Sequence, residues 1–167
     1  MNSGAAGASE PGRFVEVTND TLLTVREEGV AALAAAVLRR EATVAGLSVA
    51  FLSQEAMAEL NERYRGVAGP TDVLSFPAGD DAGWPEPEEI YQPAPYLGDV
   101  VVCPAVAQAN AAGDRVELGE ELRRLIVHGV LHLLGYDHET DEGEMGSRES
   151  LLLEELPFGA ADLLHDG

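Results

Sequence analysis

Lysine is absent from this sequence, and all ten basic residues among its 167 are arginines. This absence excludes a Schiff-base lysine enzyme and a P-loop nucleotide site, because both need a lysine amine. The single cysteine, Cys103, cannot form an intramolecular disulfide. No apolar run reaches the roughly 18 residues that a membrane-spanning helix needs. The sequence therefore predicts a protein of a reducing compartment, the cytoplasm, with no membrane partner and with metals, carboxylates and histidines as its chemical agents.

Basic charge is scarce as well, since 30 acidic side chains outnumber the ten arginines and give a formal net charge of −20. Such a surface repels polyanions, so composition alone argues against an RNA or DNA partner. The acids are unevenly distributed, however. Residues 78–99 hold six acids and no base, and residues 139–167 hold nine acids and one base, which leaves fifteen acids and nine arginines elsewhere. Local RNA binding is therefore permitted.

Three segments are predicted along the chain. Residues 1–12 are rich in glycine, alanine and serine and are predicted to be a disordered tail. Residues 13–157 are predicted to form a single domain, and residues 158–167 an acidic C-terminal tail. Within the domain, residues 78–95 lack apolar periodicity and contain four prolines, so they are predicted to be a surface loop.

Hydrophobic periodicity predicts an α+β (α/β) fold with a small mixed four-stranded sheet packed against about five helices. The predicted strands are residues 14–18, 47–52, 71–76 and 98–103. The predicted helices are residues 25–41, 53–64, 104–112, 119–134 and 145–153. The first two strands are expected to be parallel and joined by a right-handed crossover.

Three of the four histidines lie close together in the sequence. His128 and His132 are four residues apart on the clearest predicted helix, so both imidazoles can reach one ion. Gly135 is expected to end that helix and return the chain, so that His138 approaches the same ion. Three imidazoles suit one Zn²⁺ and leave its fourth tetrahedral position open, which is the arrangement of a catalytic site. The alternative is that each histidine is satisfied by an ordinary hydrogen bond.

The histidine spacing is also that of the metzincin proteases. In those enzymes a glutamate general base directly follows the first histidine. Gly129 occupies that position here. A metalloprotease-like metallohydrolase is therefore the second candidate function.

Three motifs in a fixed order point to a known family. They are LNERYRG at residues 60–66 continuing to PTDVLSFP at 70–77, LGDVVVC at 97–103, and HGVLHLLGYDH at 128–138. Together they resemble the YbeY family of metal-dependent single-strand endoribonucleases. The resemblance spans about residues 14–153.

The resemblance implies a zincin-like helix that bears histidines, with His128, His132 and His138 as the ligands of one Zn²⁺ per chain. It also implies that Arg65 is catalytic, with a guanidinium that clamps a phosphate and stabilises its developing charge. The residues alone favour the other interpretation, in which Arg65 is a helix-end arginine that interacts with the helix dipole. Asp137 is expected either to orient a ligand or to accept a proton.

The implied substrate is single-stranded RNA, not DNA. Family members act at the 3′ end of small-subunit ribosomal RNA and in ribosome quality control. A third candidate is a non-catalytic, zinc-stabilised, ribosome-associated factor. Its acidic surface would suit a basic ribosomal protein or a GTPase as the partner.

Overall fold

The computed structural model describes residues 6–10, 12–79, 95–137 and 139–165. Within these ranges the strands are β1 (Ala6–Glu10), β2 (Arg13–Asn19), β3 (Gly46–Phe51), β4 (Val73–Pro77) and β5 (Tyr96–Val102). The helices are α1 (Glu27–Arg40), α2 (Gln54–Arg65), α3 (Pro104–Asp114), α4 (Leu118–Leu133), α5 (Glu144–Glu155) and α6 (Ala160–Leu163). The predicted α+β class is confirmed, and each of the four predicted strands is present.

The sheet is mixed and has the strand order β1-β2-β3-β5-β4. The three inner strands β2, β3 and β5 are parallel, and the outer strands β1 and β4 run antiparallel to their neighbours. The prediction that the first two predicted strands, β2 and β3, are parallel is thus confirmed. Strand β4 is an edge strand whose Ser75 lies opposite Val100 of β5.

Helices cover both faces of the sheet. Because successive side chains of a strand point to opposite faces, the residues of β5 alternate between two apolar clusters. Val100 and Val102 pack with the buried faces of α1 and α4. Val101 packs on the other face, with Met57 of α2 and Phe76 of β4. Helix α2 therefore lies on the opposite side of the sheet from α4.

Helix α4 is the centre of the larger layer and contacts α1, α3, α5 and α6 as well as β4 and β5. Its apolar residues surround most of its circumference, as the sequence predicts for a buried helix. The buried ones are Leu122, Leu125, Ile126, Val127, Val130, Leu131 and Leu133. No helix in the described ranges is both long and apolar enough to cross a membrane.

The N-terminal segment differs from its prediction as a disordered tail. Residues 6–10 form β1, which pairs antiparallel with β2 and places Ala6 opposite Val17. Small residues offer little apolar surface to bury, and composition therefore favours disorder. Strand pairing needs only backbone hydrogen bonds and an open sheet edge, and β2 supplies that edge.

The C-terminal segment also differs from its prediction as an acidic tail. It contains α6, whose Leu163 is fully buried and whose Leu163 carbonyl accepts a hydrogen bond from the Arg26 amide at 2.7 Å. A four-residue helix is too short to show a periodicity, so the pattern of acids dominated the prediction. Most of the predicted surface loop at 78–95 lies outside the described residues, which omit 80–94.

Candidate active site

The last two turns of α4 present His128 and His132 side by side. Their ring centroids are 4.7 Å apart and the ring planes meet at 78°. The predicted partner His138 lies outside the described residues. Within the described ranges, which omit His138, no group of three or more His, Cys, Asp or Glu side chains is placed to hold a metal ion.

Hydrogen bonds define the protonation of both rings in the same way. His128 Nδ1 lies 2.6 Å from Oε1 of Glu149, and His132 Nδ1 lies 3.1 Å from the carbonyl oxygen of Tyr136. A carboxylate and a carbonyl can only accept, so Nδ1 donates in each ring. In a neutral imidazole the lone pair then resides on Nε2, the usual state of a metal-ligating histidine. The donor chemistry of these two histidines therefore fits a divalent metal.

The turn after α4 explains how a backbone carbonyl reaches His132. The helix ends at Leu133, and Gly135 adopts a φ of +102°, a conformation that side-chain-bearing residues rarely adopt. The chain reverses there, and the Tyr136 amide donates to the Leu131 carbonyl at 3.1 Å. Tyr136 is thereby held against the last turn of the helix, where its own carbonyl accepts from His132.

Gly129 lets α4 lie directly on the sheet between the two histidines. A Cβ atom at this position would lie 2.5 Å from Cγ1 of Val100, closer than any van der Waals contact. The Ser75 hydroxyl donates to the Gly129 carbonyl at 3.0 Å and ties the helix to the edge strand. A glutamate has no room here, so the general base of a metzincin protease is excluded at this position.

A cavity of about 350 Å³ lies along the edge strand, and the predicted site residues Arg65, His128 and His132 line it. Its lining residues include Arg65, Asp72, Ser75, His128, His132 and Glu139. Arg65 comes from the end of α2, on the other face of the sheet from α4. It reaches the cavity because β4, which separates the two helices, has no further strand beyond it among the residues that the structure describes.

Acidic groups outnumber basic ones in the described cavity lining. Arg65 is its one arginine, whereas Asp72 and Glu139 are both carboxylates. Oδ2 of Asp72 accepts a hydrogen bond from the Asn110 amide at 3.1 Å. The fixed charge of the described lining is thus negative until a cation is added.

The structure also locates the polar residues near the motifs. The Asp137 carboxylate accepts a hydrogen bond from the backbone amide of Glu139 at 3.0 Å. This contact is typical of an aspartate in a turn. Asp99 accepts the Tyr96 hydroxyl at 2.6 Å. Burial and this hydrogen bond raise the pKa of Tyr96 above its usual range. Asp99 does not line the cavity.

Sequence reasoning missed Glu149. This residue contacts His128 across 21 positions of sequence and belongs to a different helix. No short-range spacing could have paired the two, because their distance depends on how α5 packs against α4. The only feature of the sequence that could have indicated Glu149 is its position on a helix after the histidine motif, and several other acidic residues follow that motif as well.

Comparisons with known proteins agree with the fold and the motifs. The family model for Endoribonuclease YbeY matches residues 14–157. The Endoribonuclease YbeY of Mycolicibacterium gilvum is 43% identical over 158 residues, covering 90% of this chain and 87% of the relative. That of Mycobacterium leprae is 40% identical over 145 residues, covering 84% and 82%.

A solved structure is similar as well. The solution structure of TM1509 from Thermotoga maritima superposes with a TM-score of 0.59 at 27% identity, covering 84% of this chain and 87% of that one. The matched family segment contains the histidine motif, Arg65 and the edge strand that carries Ser75. The chain therefore belongs to the endoribonuclease YbeY family.

Proposed function

We propose that the protein is a zinc-dependent endoribonuclease specific for single-stranded RNA. Family membership supports the endoribonuclease role. The proposed metal dependence is supported by the two Nδ1 hydrogen bonds. They leave the Nε2 lone pair of both His128 and His132 free to bind a metal, and both histidines line the same cavity. His138 would be the third ligand of a single zinc ion.

When bound, zinc would act as a Lewis acid on a phosphate oxygen or on water. The residues of the chain provide the remaining functions. Arg65 would bind the phosphodiester through its guanidinium and stabilise the negative charge that develops during cleavage. No ion pair among the described residues involves Arg65, whose side chain lines the cavity. Ser75 holds α4 in place, because its hydroxyl donates a hydrogen bond to the Gly129 carbonyl.

Charge supports a metal in this cavity. With one arginine against two carboxylates, the described lining repels an RNA phosphate. A divalent cation reverses the sign of that balance and makes phosphate binding favourable. RNA binding would still be weak and sensitive to salt on so acidic a protein.

The proposed biological role rests on membership of the YbeY family, and the expected weakness of RNA binding bears only on the need for a partner. We place the enzyme in ribosomal RNA processing, at the 3′ end of the small-subunit RNA, and in ribosome quality control. A basic ribosomal protein or a GTPase would bind the acidic surface and deliver the RNA. The non-catalytic, zinc-stabilised factor remains the alternative to an enzyme.

Metal analysis combined with an RNA cleavage assay tests the proposal. Purified protein is expected to hold about one zinc per chain and to cut single-stranded ribosomal RNA fragments. His132→Ala should lose both properties. Arg65→Ala should keep its zinc and lose roughly 10²–10³-fold in cleavage rate, the typical loss for one charge-stabilising donor. The matched control is Arg63→Ala, which removes an arginine from the same exposed helix end without touching the cavity.

Each competing function has its own outcome. Full RNA cleavage by a verified metal-free His132→Ala protein would contradict the mechanism. Zinc bound without hydrolysis of any RNA, together with unfolding on chelation, would favour the non-catalytic factor. Turnover of casein without turnover of RNA would favour a metalloprotease-like hydrolase.

A further inference from the structure

We propose that Glu149 of α5 is a positioning residue of the metal centre and that it acts through His128. This inference deepens the proposed function and rests on it. Glu149 does not line the cavity and would not touch substrate or metal. Its role is to orient the ligand ring and to hold the proton on Nδ1.

The contact between the two side chains is short and partly shielded from water. Oε1 of Glu149 lies 2.6 Å from Nδ1 of His128, and the two side chains are 17% and 22% exposed. A carboxylate bonded to the second nitrogen of an imidazole fixes the rotation of the ring about its χ2 bond. It also increases the basicity of Nε2 and therefore its strength as a ligand.

Glu149 is itself held in place by α4. Its Oε2 lies 4.0 Å from Nη1 of Arg124. Nε and Nη2 of Arg124 donate to the two carboxylate oxygens of the buried Glu121 at 3.3 and 2.7 Å. The hydrogen bond that Arg124 donates to Glu121 raises the pKa of the Arg124 guanidinium. Glu121, Arg124 and His128 lie on one stripe of α4, because their spacing is i, i+3 and i+7.

The other carboxylates of α5 show what an ordinary surface contact looks like. Glu155 pairs with Arg40, and these two side chains are 44% and 37% exposed. Such a pair contributes little to stability and faces no ligand. Glu154 is exposed on the same helix. It provides a matched control with the same charge and the same helix environment.

The test compares Glu149→Ala, Glu149→Gln and the control Glu154→Gln. Zinc affinity is measured by competition with a chelator. Glu149→Ala should weaken it by about 10–100-fold, the usual effect of removing such a partner. Glu149→Gln keeps an acceptor but loses the charge, so its affinity should lie between Glu149→Ala and wild type. Glu154→Gln should match wild type.

A second measurement tests the proposed role of Glu149 on the metal-free protein and needs no activity assay. Long-range ¹H–¹⁵N spectra of the imidazoles in the metal-free protein report which nitrogen carries the proton. Glu149→Ala should change the tautomer balance of His128 and leave that of His132 unchanged. A carboxylate that only stabilised the fold would not produce this selective change.

The outcomes separate this inference from the proposed function. Wild-type zinc affinity and a wild-type His128 spectrum in Glu149→Ala would overturn the positioning role. Equal weakening in Glu149→Ala and Glu154→Gln would overturn it too, because general charge would then be the cause. If the wild type binds no zinc, the proposed function fails, whereas the metal-free spectra still decide whether Glu149 positions His128. If Glu149→Ala does not fold, the zinc affinity and the imidazole spectra are both measured on Glu149→Gln instead.

Discussion

The two histidines of α4 are supported by different kinds of partner. His128 is supported by a side chain, the carboxylate of Glu149, which comes from another helix. His132 is supported by the backbone carbonyl of Tyr136, four residues further along the chain. The first contact depends on tertiary packing and can be deleted by one substitution. The second depends on a local turn and can only be displaced, because every residue has a carbonyl.

Helix α5 contributes a contact near each histidine. Its Arg148 donates to the carboxylate of Glu41 at the end of α1, and the hydroxyl of Tyr136 donates to the same carboxylate at 2.8 Å. This hydrogen bond raises the pKa of Tyr136. The next residue, Glu149, contacts the other histidine. Of two adjacent residues of one helix, Glu149 thus contacts the ring of His128, whereas Arg148 is linked through Glu41 to the side chain of Tyr136 and not to the carbonyl that His132 uses.

Gly129→Ala should have the largest effect, because it disturbs both histidines together. The new Cβ would lie 2.5 Å from Cγ1 of Val100, so α4 must move away from the sheet. Overpacking of this kind costs about 1–3 kcal/mol, and we expect a lower melting temperature together with weaker zinc binding. Thermal unfolding and chelator competition measure the two effects.

The control for that substitution is Gly113→Ala in α3. A Cβ at Gly113 meets nothing within 4 Å, and alanine is the better helix former. This variant should be as stable as wild type or slightly more stable. Equal behaviour of the two variants would show that close packing at Gly129 does not hold the histidines.

Gly135→Ala should affect the His132 side selectively. The φ of +102° at this position is unfavourable for alanine, and we expect a loss of about 1–2 kcal/mol in unfolding free energy. The Tyr136 carbonyl should shift, which changes the imidazole spectrum of His132 but not that of His128. Gly69→Ala, at a φ of +89° in the loop between α2 and β4, should cost similar stability without changing either spectrum. A change at His128 alone would reverse the assignment of the two supports.

Tyr136→Phe should have the smallest effect. This substitution removes the hydroxyl that donates a hydrogen bond to Glu41. It leaves the backbone carbonyl that accepts a hydrogen bond from His132. We expect a loss of about 1 kcal/mol in unfolding free energy, the value of one ordinary hydrogen bond, with near wild-type zinc affinity. Denaturant unfolding and chelator competition measure these quantities. A large loss of zinc affinity would mean that the hydroxyl, and not the turn at Gly135, holds the carbonyl in place.

The parts of the site that could be predicted from the sequence are those with short-range spacing. The helical pair His128 and His132 follows from a separation of four residues, and the turn after it follows from Gly135. Glu149 could not be predicted, since 21 residues separate it from its partner. Arg65 was identified by resemblance, and its approach to the cavity depends on β4 being the sheet edge.

The fold divides in the same way. Periodicity determined the four predicted strands and the long helices, because each buries a repeated apolar face that can be read from neighbouring residues. Strand β1 and helix α6 escaped prediction, because one is held by backbone pairing to an edge and the other by a single buried leucine.

The sequence by itself thus determined the four predicted strands, the five longer helices, the two neighbouring imidazoles and the acidic charge, which all depend on local order along the chain. Only the tertiary structure decided that Arg65 of α2 and the two histidines of α4 line one cavity at the edge of β4, that Gly129 leaves no room for a protease base, and that a carboxylate of α5 contacts one imidazole. The physical reason is that contacts between distant segments depend on how the faces of the helices and the sheet pack, and this packing is a property of the whole core.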